Sequence, residues 1–139
     1  MLIRLAHGSD AAELKKLNDF FNGEDCNGVE GIQESLMSNE QEIVCLAAEG
    51  SVLVGFCCGQ ILKSMCYAYK YGEITELYVM EEYRRRGIGR QLLETTENEL
   101  GKRGVRHFHV LTGNENTRAQ ALYTICGYAK TSEILFDKD

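Results

Sequence analysis

The chain has 139 residues, 44 % hydrophobic and 26 % charged, with no Pro, no Trp and a formal net charge of −6. That length suits one domain around one sizeable core and leaves little for a second. No apolar run approaches a bilayer span, the first ten residues lack the pattern of a secretory signal, and an acidic total argues against nonspecific nucleic-acid binding; a cytoplasmic protein without membrane or nucleic-acid partners is expected.

In chain order, LIRLA reads as a first strand. SDAAELKKLNDFF reads as a helix capped by Ser9 or Asp10, with Asp10 and Glu13 as a capping pair and Leu14, Leu17 and Phe21 on one face. After the polar loop NGEDCNG, the spacing of Val29, Ile32 and Leu36 predicts a second short helix. Two apolar runs around Glu49-Gly50-Ser51 predict a hairpin, with strands near 42–48 and 52–62. Tyr67, Tyr69 and Tyr71 alternate ahead of a strand from about Glu73 to Met80, and either line a substrate cleft or form a half-exposed cover for the core. Ile88, Leu92, Leu93 and Leu100 predict a helix from Gly87 that closes at GKRG, before the strand-like VRHFHVLT. Ala119, Leu122 and Ile125 predict a last helix ending at Gly127, and SEILFDKD reads as a final strand. No repeat or linker interrupts the chain, so residues 1–139 read as one α/β unit.

Six cysteines form no Cys-x-x-Cys pair, and they read as free thiols packed as small hydrophobes. His107 and His109 share a strand face without a third ligand nearby, so no metal site is expected. The charge is uneven: residues 1–82 carry −9, whereas residues 83–139 carry +3. The cluster Arg84, Arg85, Arg86 and Arg90 suggests a small polyanionic ligand, with phosphates the obvious choice.

That cluster lies in RRRGIGR, between a strand and a helix. The first turn of a helix offers unpaired backbone N–H groups and the positive end of the helix dipole, which together attract an anion. Gly87 and Gly89 remove the Cβ atoms that would block close approach, and the arginines add fixed charge and forked donors. A pyrophosphate suits such a turn. A P-loop would end in Gly-Lys-Ser/Thr, and a dinucleotide fingerprint would add a third glycine; neither is present.

Arg84, Gly87 and Gly89 match the Gln/Arg-x-x-Gly-x-Gly/Ala motif of the GNAT superfamily of N-acetyltransferases, which the chain resembles. Asn116, Ala119, Leu122, Tyr123, Gly127 and Tyr128 match the family's later Asn-x-x-Ala-x-x-Leu-Tyr-x-x-x-Gly-Phe/Tyr pattern, and ELYV precedes the first motif. The resemblance implies one α/β (α+β) domain in the order β-α-α-β-β-β-α-β-α-β, with a mixed sheet of about six to seven strands and about four helices. It implies acetyl-CoA as acyl donor, its pyrophosphate held at Arg84, Arg85, Arg86, Gly87, Ile88, Gly89 and Arg90, with Asn116, Ala119 and Tyr123 completing the site. The pantetheine arm is expected along Leu77, Tyr78 and Val79, where the fourth and fifth strands splay near a bulge, with the Val79 N–H as oxyanion donor. Tyr123 is the expected acid for the thiolate, and Glu76, then Glu73, the expected base. A Pro common in relatives after the strand is replaced here by Met80-Glu81-Glu82.

The acceptor has no motif of its own. The acidic N-terminal part, including Glu24 and Asp25, favours a cationic primary amine such as a polyamine or aminoglycoside, and the tail is somewhat similar to an aminoglycoside 3-N-acetyltransferase branch. Protein N-termini and lysines are the alternative acceptors, a non-catalytic acyl-CoA-binding module the alternative class. A homodimer is compatible with either.

Overall fold

A computed structural model describes all 139 residues. Strand β1 (Leu2–Leu5) lies antiparallel to β2 (Glu42–Glu49), which turns through Gly50 into β3 (Val52–Leu62). The turn needs a positive φ, and Gly50 supplies it at 63°. Strand β4 (Lys70–Val79) runs antiparallel to β3, whereas β5 (Val105–Val110) runs parallel to β4, so the sheet is mixed with spatial order β1-β2-β3-β4-β5. A parallel neighbour requires a crossover, and helix α3 (Ile88–Lys102) provides it.

Helices cover both faces of the sheet. On one face Leu14 and Leu17 of α1 (Ala11–Asn22) pack with Leu46, Leu53, Phe56 and Cys58, flanked by Ile32 and Leu36 of α2 (Val29–Ser38). On the other, Ile88, Leu92, Leu93 and Leu100 of α3 pack with Ile43, Cys45, Val54, Cys57, Ile74 and Val79. Close seating of α3 depends on Gly59, where a Cβ would come within 2.8 Å of Leu100 Cδ1 and 3.0 Å of Thr96 Cγ2. Buried Thr96 donates its hydroxyl to the Leu92 carbonyl at 2.8 Å, so no polar group is stranded there. Helix α4 (Thr117–Ile125) lies beside the start of α3, and Tyr123, Cys126 and Tyr128 pack onto the α3 side of the core.

The mixed sheet, four helices and element order agree with expectation up to α4. Three details differ. Neither Ser9 nor Asp10 caps α1 with its side chain. Instead the Asp10 carboxylate takes two bonds from Arg4, at 2.8 and 2.9 Å, and one from the His7 N–H at 2.7 Å, while Glu13 pairs with Lys16 at 3.0 Å. A bidentate charge-assisted pair outcompetes a single neutral cap, and the Arg4 bond holds Asp10 below the usual carboxylate range. Second, β4 starts at Lys70, because pairing with β5 begins there. Third, residues 129–139 form no strand, so the sheet has five strands rather than six or seven. Ile134, Leu135 and Phe136 are 78 %, 67 % and 90 % exposed. The outer edge of β5 stays free, and strand propensity in the tail is not by itself enough to pair with it.

Candidate active site

The site is organised by an irregularity in β4. Cys58 pairs with Glu76 but Gly59 pairs with Ile74, so Thr75 is an extra residue opposite β3. A bulge of this kind resets side-chain alternation. Ile74 points to α3, as do Leu77 and Val79, whereas Tyr78 joins the α1 face and Glu76 lines a cavity there. Glu73, flanked by Gly72 and Ile74, falls on that same α1 face. Pairing of β4 with β5 stops at Ile74 and Val110, so beyond the bulge the two strands separate and Leu77–Val79 lose a neighbour on that side.

The gap opens into a cleft of about 610 Å³ between the end of β4, the start of α3 and α4. Gly87 precedes α3 in the left-handed conformation, φ 77°, which glycine adopts without cost. The first helical bond runs from the Gln91 N–H to the Gly87 carbonyl, and no side chain caps the helix. The amides of Ile88, Gly89 and Arg90 are therefore left as donors at the positive end of α3. Arg84 donates Nε to the Val79 carbonyl at 2.7 Å and stands 5.7 Å from the Tyr78 ring centre, which fixes the guanidinium at the cleft wall. Arg85 lines the cleft with a positive φ of 66°. Arg90, paired with Glu94 at 2.8 Å, also lines it.

Of the residues expected to bind the donor, the structure brings all but one to this cleft: Leu77, Tyr78, Val79, Arg84, Arg85, Gly87, Ile88, Gly89, Arg90, Asn116, Ala119 and Tyr123. Arg86 points elsewhere, over the Tyr83 ring at 5.2 Å and 4.0 Å from Glu49. Asn116 accepts the Ala119 N–H at 3.2 Å and so caps α4. Tyr123 is half-buried at the cleft wall, edge-on to Tyr128 at 5.9 Å. Burial raises its phenol pKa, with Cys57, Cys126 and Glu76 adding to the shift, so the proton is held. Tyr128 donates to Glu97 at 2.6 Å, which fixes the neighbour against which Tyr123 rests.

Across β4 from this cleft lies a smaller cavity of about 150 Å³, floored by β2, β3 and β4 and roofed by α1 and α2. Leu14, Ile32, Leu36, Val44 and Phe56 make it apolar, Asn18, Asn27 and Ser35 add neutral polar groups, and Glu42 and Glu76 are its ionisable carboxyls. No Lys or Arg lines it. Burial raises the Glu76 pKa, opposed by the Asn22 amide and reinforced by Glu42. Burial also raises that of Glu42, opposed by bonds from Ser35 and from Gln60, whose Nε2 donates at 3.0 Å. Glu73 is outside this cavity and sits 3.4 Å from His109 Nε2. Tyr67 and Tyr69 stack at 5.8 Å on the exterior, Tyr71 lies beside His109, and none of the three lines either space.

Sequence reasoning missed Phe21, Tyr83, Arg118 and Leu122 in the cleft. Arg118 had a signal, as a basic residue in the first turn of a capped helix. Phe21 had none, because its stacking on Tyr78 at 5.0 Å joins distant segments. Glu42 was missed too, although it shares the β2 face of Val44 and Leu46 at alternate positions.

Residues 11–128 match the acetyltransferase (GNAT) family profile. An uncharacterized N-acetyltransferase of Bacillus subtilis, YhfO, is 26 % identical over 133 residues, covering 92 % of this chain and 89 % of its own. The fold superposes on an aminoglycoside acetyltransferase, meta-AAC0020, from an uncultured soil metagenomic sample, with TM-score 0.88, 19 % identity, and 99 % and 95 % of the two chains covered. It likewise superposes on AAC(6')-Iy, solved with the bisubstrate analog CoA-S-monomethyl-acetylneamine, with TM-score 0.86, 19 % identity, and 99 % and 97 % covered.

Proposed function

This chain belongs to the acetyltransferase (GNAT) family and is an acyltransferase that uses acetyl-CoA, and we propose that it acetylates a small cationic primary amine by direct attack in a ternary complex. The observation that carries this reading is the adjacency of two unlike spaces across one bulged strand. Glu76 lines the small cavity and the next residue, Leu77, lines the large cleft. A cleft with free helix amides and arginines suits the donor's phosphates, while a cavity with two carboxylates and no cation suits an ammonium.

In the proposed chemistry, Glu76 receives a proton from the ammonium, directly or through water. Its raised pKa brings it nearer the working pH of a base. The neutral nitrogen attacks the thioester carbonyl carbon, with the Val79 N–H as donor to the oxygen as it gains charge. The C–N bond forms, the C–S bond breaks, and the departing sulfur takes the Tyr123 proton. The second proton of the attacking nitrogen passes through water to restore the Tyr123 phenol, while Glu76 releases its proton to solvent. The products are an acetamide and the free thiol of coenzyme A. Glu73, paired with His109 outside the cavity, is the less supported base. No helix is long and apolar enough to cross a membrane, and the unpaired, buried Cys45, Cys57 and Cys58 support the expectation of a reducing, cytoplasmic setting.

The test is thiol release from acetyl-CoA with a panel of amines, with the acetylated product identified by mass. Amine-dependent release is expected for small primary amines. Acetyl-CoA binding without release for any amine would reject catalysis in favour of a binding module.

A further inference from the structure

We propose that Glu42 determines acceptor specificity by holding a second ammonium, so that the preferred substrates are short diamines with about four or five carbons between the nitrogens. This rests on the acetyl-transfer reading, and adds to it which amines are chosen and by which residue.

The two carboxylates of the small cavity are not equivalent. Glu76 adjoins Leu77 at the boundary with the large cleft, so an amine beside Glu76 is the one that meets the thioester. Glu42 lies farther from that boundary. Val44, Cys58 and Glu76 are cross-strand partners, which puts Glu76 two strands from Val44, and Glu42 is two residues further along β2. Strand geometry makes that a Cα separation of roughly 12 Å, so the two carboxylates enter the space from separate points on its floor. Both side chains nevertheless line one space of about 150 Å³.

A cavity of that size encloses a molecule of benzene's bulk, on the order of six heavy atoms. Its diameter, about 6 Å, equals the span of two nitrogens joined by an extended four-carbon chain. Ile32, Leu36, Val44 and Phe56 offer apolar walls to the carbons. Glu42 is held in place by the Gln60 amide at 3.0 Å and the Ser35 hydroxyl at 3.5 Å, both neutral donors. They fix the carboxylate without neutralising it and leave lone pairs for a cation. A ligand ammonium is what these surroundings lack, since every ionisable group of the cavity wall is acidic or a thiol. A multi-ring aminoglycoside would extend beyond this space, because drug-sized ligands need about 300 Å³ or more.

The experiment uses the full chain with saturating acetyl-CoA and compares kcat/KM for linear monoamines, for diamines of increasing length, and for neamine. The expected result is a maximum at the four- or five-carbon diamine, about tenfold above the monoamine of equal length. Glu42→Gln should bring that ratio towards one, mainly by raising the diamine KM. Glu42→Asp, which withdraws the carboxylate by one carbon, should move the optimum to a longer diamine, and it serves as the second variant if the first is unfolded in a thermal melt. Equal rates for monoamines and diamines, a faster rate with neamine, or a diamine preference that survives both variants would overturn the assignment. Absence of thiol release with every amine, while acetyl-CoA still binds, would instead remove the acetyl-transfer reading and this proposal with it.

Discussion

The two sides of β4 are built on different principles. The large cleft is assembled from main-chain amides at one helix start, a glycine-arginine turn and one strand edge, nearly all within residues 77–90 and 116–123. The small cavity draws single side chains from α1, the loop before α2, α2, β2, β3 and β4, among them Leu14, Asn27, Ser35, Glu42, Cys58 and Glu76. A ligand recognised through backbone geometry constrains contiguous sequence, because the glycines and cap must sit at fixed offsets. A ligand recognised through scattered side chains does not. On the proposed assignment, the donor side can thus be common to many chains while the acceptor side is free to vary.

This contrast breaks most severely where the two spaces meet. Tyr123→Phe removes one hydroxyl from the cleft wall and is expected to lower kcat by about two to four powers of ten, with acetyl-CoA affinity nearly unchanged. Glu76→Gln should do the same from the cavity side. The comparison requires rates under conditions where chemistry limits turnover; a wild-type kcat for either variant would withdraw that residue from the mechanism.

A smaller but still large effect is expected at the turn itself. An ideal Cβ at Gly87 meets nothing within 4 Å, so a side chain there projects into open space. Gly87→Trp should fold, at a cost of about 1–2 kcal/mol for the left-handed backbone, yet lose on the order of a hundredfold in acetyl-CoA affinity by covering the helix amides. Calorimetry on the folded variant checks it. Unchanged affinity would mean that the phosphates do not sit at this turn.

The legibility of the chain follows the same divide. Gly87 and Gly89 could be read as a Cβ-free approach to the helix start and Asn116 through the family pattern, and the structure adds the local tasks behind them, a left-handed turn at Gly87 and a cap at Asn116. Arg86 was read as part of the phosphate turn but lies over Tyr83, since a charge count along a loop says nothing about which way each side chain leaves it. Glu73 and Glu76 could not be placed from the sequence, because strand alternation depends on whether Thr75 is paired or bulged, and only the β3 register decides that. The tail misled for a related reason. Its apolar residues have strand propensity, but whether they pair is a property of the assembled sheet, and here the outer edge of β5 stays free. Glu42 stayed hidden because the cavity it shares with Glu76 is assembled across three strands and two helices.

The least effect, and the one that tests whether the cavity is strained for its task, is on stability. Burial raises the Glu76 pKa, with Glu42 adding to it, so the folded chain binds this proton more tightly than the unfolded chain does. The stability linked to that proton is fully present below the ordinary glutamate value of about 4.3 and is lost as pH rises through the higher folded value. At neutral pH the ionised carboxylate is therefore a net cost to the fold. Glu76→Gln keeps the shape and removes the charge, so it should melt about 1–3 °C higher than the natural chain at pH 8, while the two converge near pH 4. The group is only half-buried and water screens part of the penalty, which is why the shift is small. Asn22, which favours the carboxylate form, reduces it further. Melting curves at the two pH values decide the matter: a Gln variant less stable at pH 8 would show that the hydrogen bond outweighs burial, and that Glu76 is held in the cavity for structure rather than at the expense of it.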